Sequence, residues 1–302
     1  MRWVVGTTEG LVGDGGERWL AGRAITALAG DGNGWPVLVA GHEVARVHGD
    51  EVDTLGTVEG EAGRCLLPAS GGILVGTAHA RLARLRDGDA EFLRSFDDAE
   101  GREEWYTPWG GPPDTRSLTA SRDGLLFANV HVGGILRAEA PEANWTPTID
   151  IDADVHQVLA DPFRPGHVVA ATARGLAETD DGGDTWRFSA EGLHAPYARA
   201  VALDGERLFL SASTGPRSDR AAVYQRQPGE GVFERCTGGL PEWFPGNVDS
   251  HCLAAGGGTA VFATEDGRGY ASDDGGGSWR QILGGSAHVT CVGVAASEGP
   301  GT

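Results

Sequence analysis

Short apolar or alternating runs recur along the whole chain and stop at Gly-rich turns, and no stretch carries the 3.6-residue periodicity of a long amphipathic helix. One pair of runs returns repeatedly. Its first member reads TALAG (26–30), RCLLP (64–68), RSLTA (116–120), HQVLA (156–160), RAVAL (199–203) and HCLAA (251–255), with a last copy, TCVGV, at 290–294. Its partner follows after a turn: VLVAG (37–41), ILVGT (73–77), LLFAN (125–129), VVAAT (168–172), LFLSA (208–212) and AVFAT (260–264). The last first-member has no partner after it, and WVVGT (3–7) at the N-terminus is a partner without a first member. Joined, the two make a seventh unit. The spacing suits four strands per unit. Near-equal spacing over the whole chain argues against a two-sheet sandwich and for radial packing.

The expected fold is therefore all-β: one domain over residues 1–302, a seven-bladed β-propeller of four-stranded blades, closed by pairing of the N- and C-terminal segments in one shared blade. The expected blades are 287–296 joined to 1–24, then 25–62, 63–114, 115–154, 155–197, 198–248 and 249–286.

Composition narrows the function classes. The net charge is −19, which repels phosphate backbones, so a nucleic-acid partner is not expected. All 24 basic residues are arginine, so lysine Schiff-base chemistry is excluded. No apolar run approaches the ~18 residues of a membrane span, so no membrane partner is expected. RWVVGTTEGL at the N-terminus reads as a strand, so no leader is expected there. The four cysteines form no C-x-x-C pair, and a reducing cytoplasm is the expected compartment. Cys65, Cys252 and Cys291 fall where other units carry Ala27, Ser117, Gln157 and Ala200, which predicts small buried residues between neighbouring sheets.

Two octets stand out, TDDGGDTW (179–186) and SDDGGGSW (272–279), each just after a third strand. Thr179, Asp181, Gly183, Thr185 and Trp186, and Ser272, Asp274, Gly276, Ser278 and Trp279, follow the pattern Ser/Thr-x-Asp-x-Gly-x-Thr/Ser-Trp. The chain in this respect resembles the BNR or Asp-box propellers of the sialidase-like superfamily. A degenerate copy, RAEAPEANW (137–145), keeps only the tryptophan. The chemistry suits a turn: short polar side chains bond backbone two residues on, glycine permits positive φ, and tryptophan buries a ring. The spacing does not match an EF-hand calcium loop. The resemblance implies that the octets lie on the face opposite an active site and that Asp181 and Asp274 are structural.

Candidate chemistry lies on the other rim. Asp114-Thr-Arg116, Asp154-Val-His156 and Asp249-Ser-His251 share one register at the start of the first strand, with Arg64 and Arg199 at the Arg/His place and Thr26 and Thr290 completing a ring. If the neighbouring Cys/Ser/Ala position faces the blade interior, these residues face the channel. Long connections between units bring Trp105, Tyr106 and Trp109, His194 and Tyr197, and Trp243 and Phe244. Turns after the second strand add His79, His131, Arg174, Glu9, Glu43 and Asp266.

Three readings of that rim stay open. Asp–Arg and Asp–His pairs can satisfy a wet channel. Arg64, Arg116 and Arg199 can hold an anion by forked hydrogen bonds, with Asp114 orienting them and Trp105, Tyr106, Trp109 and Trp243 as walls. His131, His156 and His251 can ligate a divalent transition metal, or His156 and His251 with Asp154 and Asp249 can act as acid and base.

The resemblance does not carry sialidase activity over. No Arg-Ile-Pro motif is present, and Tyr106, Tyr197, Tyr224 and Tyr270 lack the family's nucleophile context. Such propellers also include other glycosidases, photosystem-assembly-like factors and sorting receptors. The primary expectation is a small-molecule ligand, polar or anionic, at the channel mouth, with or without turnover. The alternatives are a protein-binding platform and a glycan-binding protein or glycosidase.

Overall fold

A computed structural model describes residues 1–227, 231–285 and 287–295. The expected blade limits at 286 and 296, and the segment from 296 to 302, lie outside the described residues. Seven four-stranded antiparallel sheets form a ring, each running from an inner to an outer strand in chain order. The exception is the closing sheet, blade 1, whose inner strand Val289–Val294 pairs with Trp3–Thr7, followed by Gly10–Gly13 and Arg18–Trp19. The inner strands of blades 2 to 7 are Ile25–Leu28, Gly63–Ala69, Asp114–Ala120, Val155–Ala160, Val201–Asp204 and Leu253–Gly256. The chain is a seven-bladed propeller closed by its two ends.

Burial follows position in the blade. The second strands Trp3–Thr7, Trp35–Val39, Val168–Thr172 and Thr259–Ala263 are buried at every residue, which is why they read as continuous apolar runs. The inner strand Asp114–Ala120 alternates between buried and half-buried residues. The outer strand Glu51–Thr57 is largely exposed and reads as polar.

The blades are tied together near the axis by one repeated device. An interior donor of one blade reaches a carbonyl at the start of the next: Cys65 Sγ to Thr115 O (3.4 Å), Asn129 Nδ2 to Val155 O (3.1 Å), His156 Nδ1 to Ala198 O (2.7 Å) and Ser211 Oγ to Val248 O (3.1 Å). Thr290 Oγ1 donates to Ile25 O across the closing seam, and the Gly63 N–H donates to Gly41 O (2.7 Å) between blades 2 and 3. Cys65, Cys236, Cys252 and Cys291 are all buried and unpaired. Burial pushes the Cys65, Cys236 and Cys291 thiols up to about 12, so they are packing groups and not nucleophiles. Gly6 and Gly76 on the second strands face Cys291 and Cys65; a Cβ there would stand 2.5 Å and 2.6 Å from the sulfur.

Both octets occupy turns between the third and fourth strands of blades 5 and 7 and make the same bonds. Thr179 Oγ1 donates to Asp181 (2.6 Å) and accepts from the Gly183 N–H (3.0 Å); Asp181 accepts from the Thr185 N–H (2.9 Å) and hydroxyl (2.6 Å). Ser272, Asp274, Gly276 and Ser278 repeat the set. Trp279 packs between Phe209 and Phe262, and Trp145 of the degenerate copy packs edge-on against Phe96. Arg137 of blade 4 donates to Gly182 O and Asp184 in the blade 5 turn, so the octet also joins neighbours.

Candidate functional site

Up-and-down order places the connections between blades and the second-to-third-strand turns on one face, opposite the octets. A pocket of about 210 Å³ opens there at the axis. Its lining is Thr107, Trp109, Pro112, Asp114, Arg116, His131, Tyr197, Arg199 and Pro216.

Arg116 and Arg199 supply its positive charge. Arg116 lies in the inner strand of blade 4, beside Asp114, which opens that strand and pairs with His131 across it. Asp114 is engaged by Arg64 Nε at 3.0 Å, and Arg199 is ion-paired with Asp249. Among the described residues no carboxylate lies within ion-pair distance of the Arg116 guanidinium. Its pKa is lowered, first by burial and then by the Arg199 charge. An arginine stays ionised regardless, so burial leaves a charge there that Asp249 and Asp114 offset only in part.

His131, Asp154 and His156 form a cluster beside these arginines. His131 ends the second strand of blade 4, and His156 is the second residue of the blade 5 inner strand. Asp154 closes the single-turn helix Ile151–Ala153 in the left-handed conformation (φ 49°), which aspartate tolerates better than most residues. His131 Nε2 stands 3.2 Å and His156 Nε2 3.7 Å from Asp154 Oδ1. The Asp154 carboxyl is held below its ordinary pKa, first by the polar contact with His131 and then, against the cost of burial, by the His156 and Arg116 charges. Burial pushes His156 down to about 4, against the pull of Asp154.

The remaining residues of the expected rim are placed differently. His251 does not join the other histidines. The blade 7 inner strand begins only at Leu253, and the Asp249–His251 segment turns inward, with His251 at φ 66°. Ser250 Oγ lies against the carbonyls of His156 (2.9 Å) and Arg199 (3.1 Å), the His251 N–H donates to Gln157 Oε1 (3.1 Å), and His251 Nε2 donates to Arg116 O (2.7 Å). The segment is a plug across the channel, held to three inner segments, and Asp249 serves Arg199 and not His251.

Arg64 is exposed and lies outside the pocket lining. Trp105 packs on Phe96 and beneath Arg102; Tyr106 is exposed beside the pocket; Trp243 is enclosed by His194, Arg220 and Arg235. Of the four expected aromatic walls only Trp109 lines the pocket, 5.1 Å from the His131 ring and 73% exposed.

Tyr197, expected on the rim but given no role in the three readings, lines the pocket. Its ring lies 4.8 Å from His156 and beneath Arg199. The signal was present: Tyr197-x-Arg199 puts tyrosine at the place held by aspartate in Asp114-x-Arg116 and Asp154-x-His156. Thr107, Pro112 and Pro216 had no comparable signal.

No family model matches the chain, and no curated protein sequence does. Solved structures share its fold at low identity. A GH74 enzyme from Niastella koreensis superposes with a TM-score of 0.62 at 13% identity over 86% of this chain; the chain spans 45% of that enzyme's length. A 6-phosphogluconolactonase candidate from Bacteroides uniformis gives a TM-score of 0.61 at 16% identity, covering 96% of this chain and 98% of the other. YCF48 bound to a D1 peptide gives 0.59 at 15% identity, covering 95% and 88%. Among the described residues no helix is long and apolar enough to cross a membrane.

Proposed function

We propose that this propeller binds a small anionic molecule at the channel mouth, held by Arg116 and Arg199 and capped by Trp109. The observation that carries the reading is the Arg116 guanidinium, which lines the pocket with no carboxylate partner among the described residues, while Arg64 and Arg199 are paired. About 210 Å³ is below the ~300–1,000 Å³ of drug-sized sites, so the ligand is small. That size disfavours an extended glycan. A sugar-acid or phosphate-bearing ligand fits the likeness to the lactonase candidate.

The test is calorimetric titration with inorganic phosphate, succinate and 6-phosphogluconate. Arg116→Ala should lose binding of whichever anion binds, and Arg116→Lys should recover little, because lysine keeps the charge without the fork. Arg64→Ala should bind as the parent does. Failure of all three anions to bind, or equal affinity in Arg116→Ala, would remove the reading.

A second reading has one specific support. Trp109 at the mouth and Tyr106, three residues earlier in the same connection, are 73% and 47% exposed, and a propeller of the same fold holds a peptide. An acidic peptide could then place a carboxylate on Arg116, with the aromatics as anchors. We read the octets as Asp-boxes because both make the same side-chain bonds, and we read a cytoplasmic setting from four unpaired, buried cysteines.

A further inference from the structure

We propose that His131, Asp154 and His156 bind one divalent transition metal ion, with its open coordination positions facing the arginine pocket. The ligand atoms of the three residues all lie within 4.8 Å of one another. Two nitrogens and one carboxylate oxygen select first-row metals such as Zn²⁺ or Co²⁺ over Mg²⁺ or Ca²⁺, which prefer oxygen alone. Bond lengths of ~2.0–2.1 Å in a tetrahedral site put ligand atoms about 3.4 Å apart. The observed 3.2 Å and 3.7 Å to Asp154 Oδ1 bracket that separation.

The second observation is a pair of buried atoms without hydrogen-bond partners. His156 is 1% exposed, and its Nδ1 lies 2.7 Å from Ala198 O. A carbonyl can only accept, so Nδ1 carries the proton and Nε2 presents a lone pair. Among the described residues that Nε2 has no hydrogen-bond partner, and Asp154 Oδ1, which it faces at 3.7 Å, has none of good geometry, His131 Nε2 standing 3.2 Å away. Two buried acceptors facing each other are unfavourable, and a cation between them and His131 Nε2 removes the conflict. The Ala198 carbonyl is the outer-shell partner that metal-bound histidines ordinarily have. Because His131 also lines the pocket, three protein ligands leave the metal accessible from it. That a bound anion reaches the metal rests on the reading of Arg116 above; metal binding itself does not.

The experiment uses tag-free protein, stripped with chelator and dialysed against Zn²⁺ or Co²⁺ alone. Elemental analysis should find one metal per chain, and the Co²⁺ form should show d–d absorption of a low-coordinate site with nitrogen ligands. His131→Ala, His156→Ala and Asp154→Asn should each weaken binding at least ~100-fold, beyond the ~10–100-fold typical of losing an outer-shell partner. His79→Ala, an exposed histidine on the same face paired with Glu61, should keep full stoichiometry. Circular dichroism and melting temperature identify any variant that fails to fold, and Asp154→Asn serves where a histidine variant does. Absence of stoichiometric metal in the parent, or full metal in folded His156→Ala and Asp154→Asn, would overturn the proposal. Arg116→Ala should lose anion binding and keep the metal, so the two readings can fail separately.

Discussion

Asp274 accepts hydrogen bonds from the Ser278 hydroxyl (2.6 Å), the Ser278 N–H (2.8 Å) and the Ser272 hydroxyl (2.8 Å). These bonds favour the carboxylate and hold its pKa down to about 2, the Ser278 hydroxyl contributing most. A depressed acid contributes stability above its unfolded pKa of ~3.9 and loses it as pH falls towards 2. Asp274→Ala should therefore lower the melting temperature at neutral pH, and the gap from the parent should close as pH falls through that window. Neighbouring Asp273 makes only exposed ion pairs with Arg2 and Arg280, so Asp273→Ala should leave the melting temperature nearly unchanged. Equal melting curves for the two variants across pH would show that the octet carboxylate holds nothing. At this scale the octets were readable because the hydrogen-bond partners of the Asp181 and Asp274 carboxylates lie within four residues. The His131–Asp154–His156 cluster was only half readable, because its members come from two blades. Their register is set by strand pairing, and Asp154 enters it through a left-handed turn that the string Ala-Asp-Val does not announce.

The Asp249–His251 segment shows where element-level reading stops. Its Asp-x-His matches Asp154-x-His156, so equal spacing puts His251 on the channel wall. Tertiary hydrogen bonds overrule that spacing: Ser250 reaches His156 O and Arg199 O, and His251 reaches Arg116 O. Local pattern records the length of the strand but not a turn stabilised by three other blades. The consequence is that His251 acts as a strut beneath Arg116 rather than as a ligand. His251→Ala should weaken anion binding while leaving metal content intact. His251→Gln should restore affinity, because its amide N–H can replace the donor to the Arg116 carbonyl. Both variants must be read by titration at fixed ionic strength, since screening alters any arginine–anion contact. A Gln variant as weak as the Ala variant would mean that the imidazole does something other than donate to that carbonyl. The second strands, by contrast, were legible to within a residue or two, because burial on both faces writes itself as an unbroken apolar run.

For the whole molecule the decisive feature is the seam, where Val289–Val294 completes a sheet begun at Trp3. Two unpaired runs at opposite ends of the sequence implied it, and the pairing gives Trp3–Thr7 an inner neighbour, so the closing sheet has four strands like the other six. Whether the ring unfolds as one unit depends on whether this seam is as firm as an ordinary blade, and the sequence offers a matched pair of probes. At Gly6 an added Cβ would meet Cys291 Sγ at 2.5 Å and Ile25 Cγ2 at 2.9 Å; at Gly76 it would meet Cys65 Sγ at 2.6 Å and Thr115 Cγ2 at 2.7 Å. The local insult is the same, but one lies at the seam and the other inside a continuous blade. Overpacking of this kind costs ~1–3 kcal/mol, and each kcal/mol shifts the melting temperature by about 2–4 °C in a domain this large. If closure is part of the cooperative unit, Gly6→Ala and Gly76→Ala should lower the single melting transition by similar amounts. Adding Cys291→Ala to Gly6→Ala should then recover part of the loss, because removing the sulfur relieves the tighter of its two contacts. If instead the seam opens independently, Gly6→Ala should leave the main transition in place and add an earlier one, with amide exchange accelerated in Trp3–Thr7 and its partner Val289–Val294. The second outcome would make the propeller a chain of six firm blades with a loosely latched seventh.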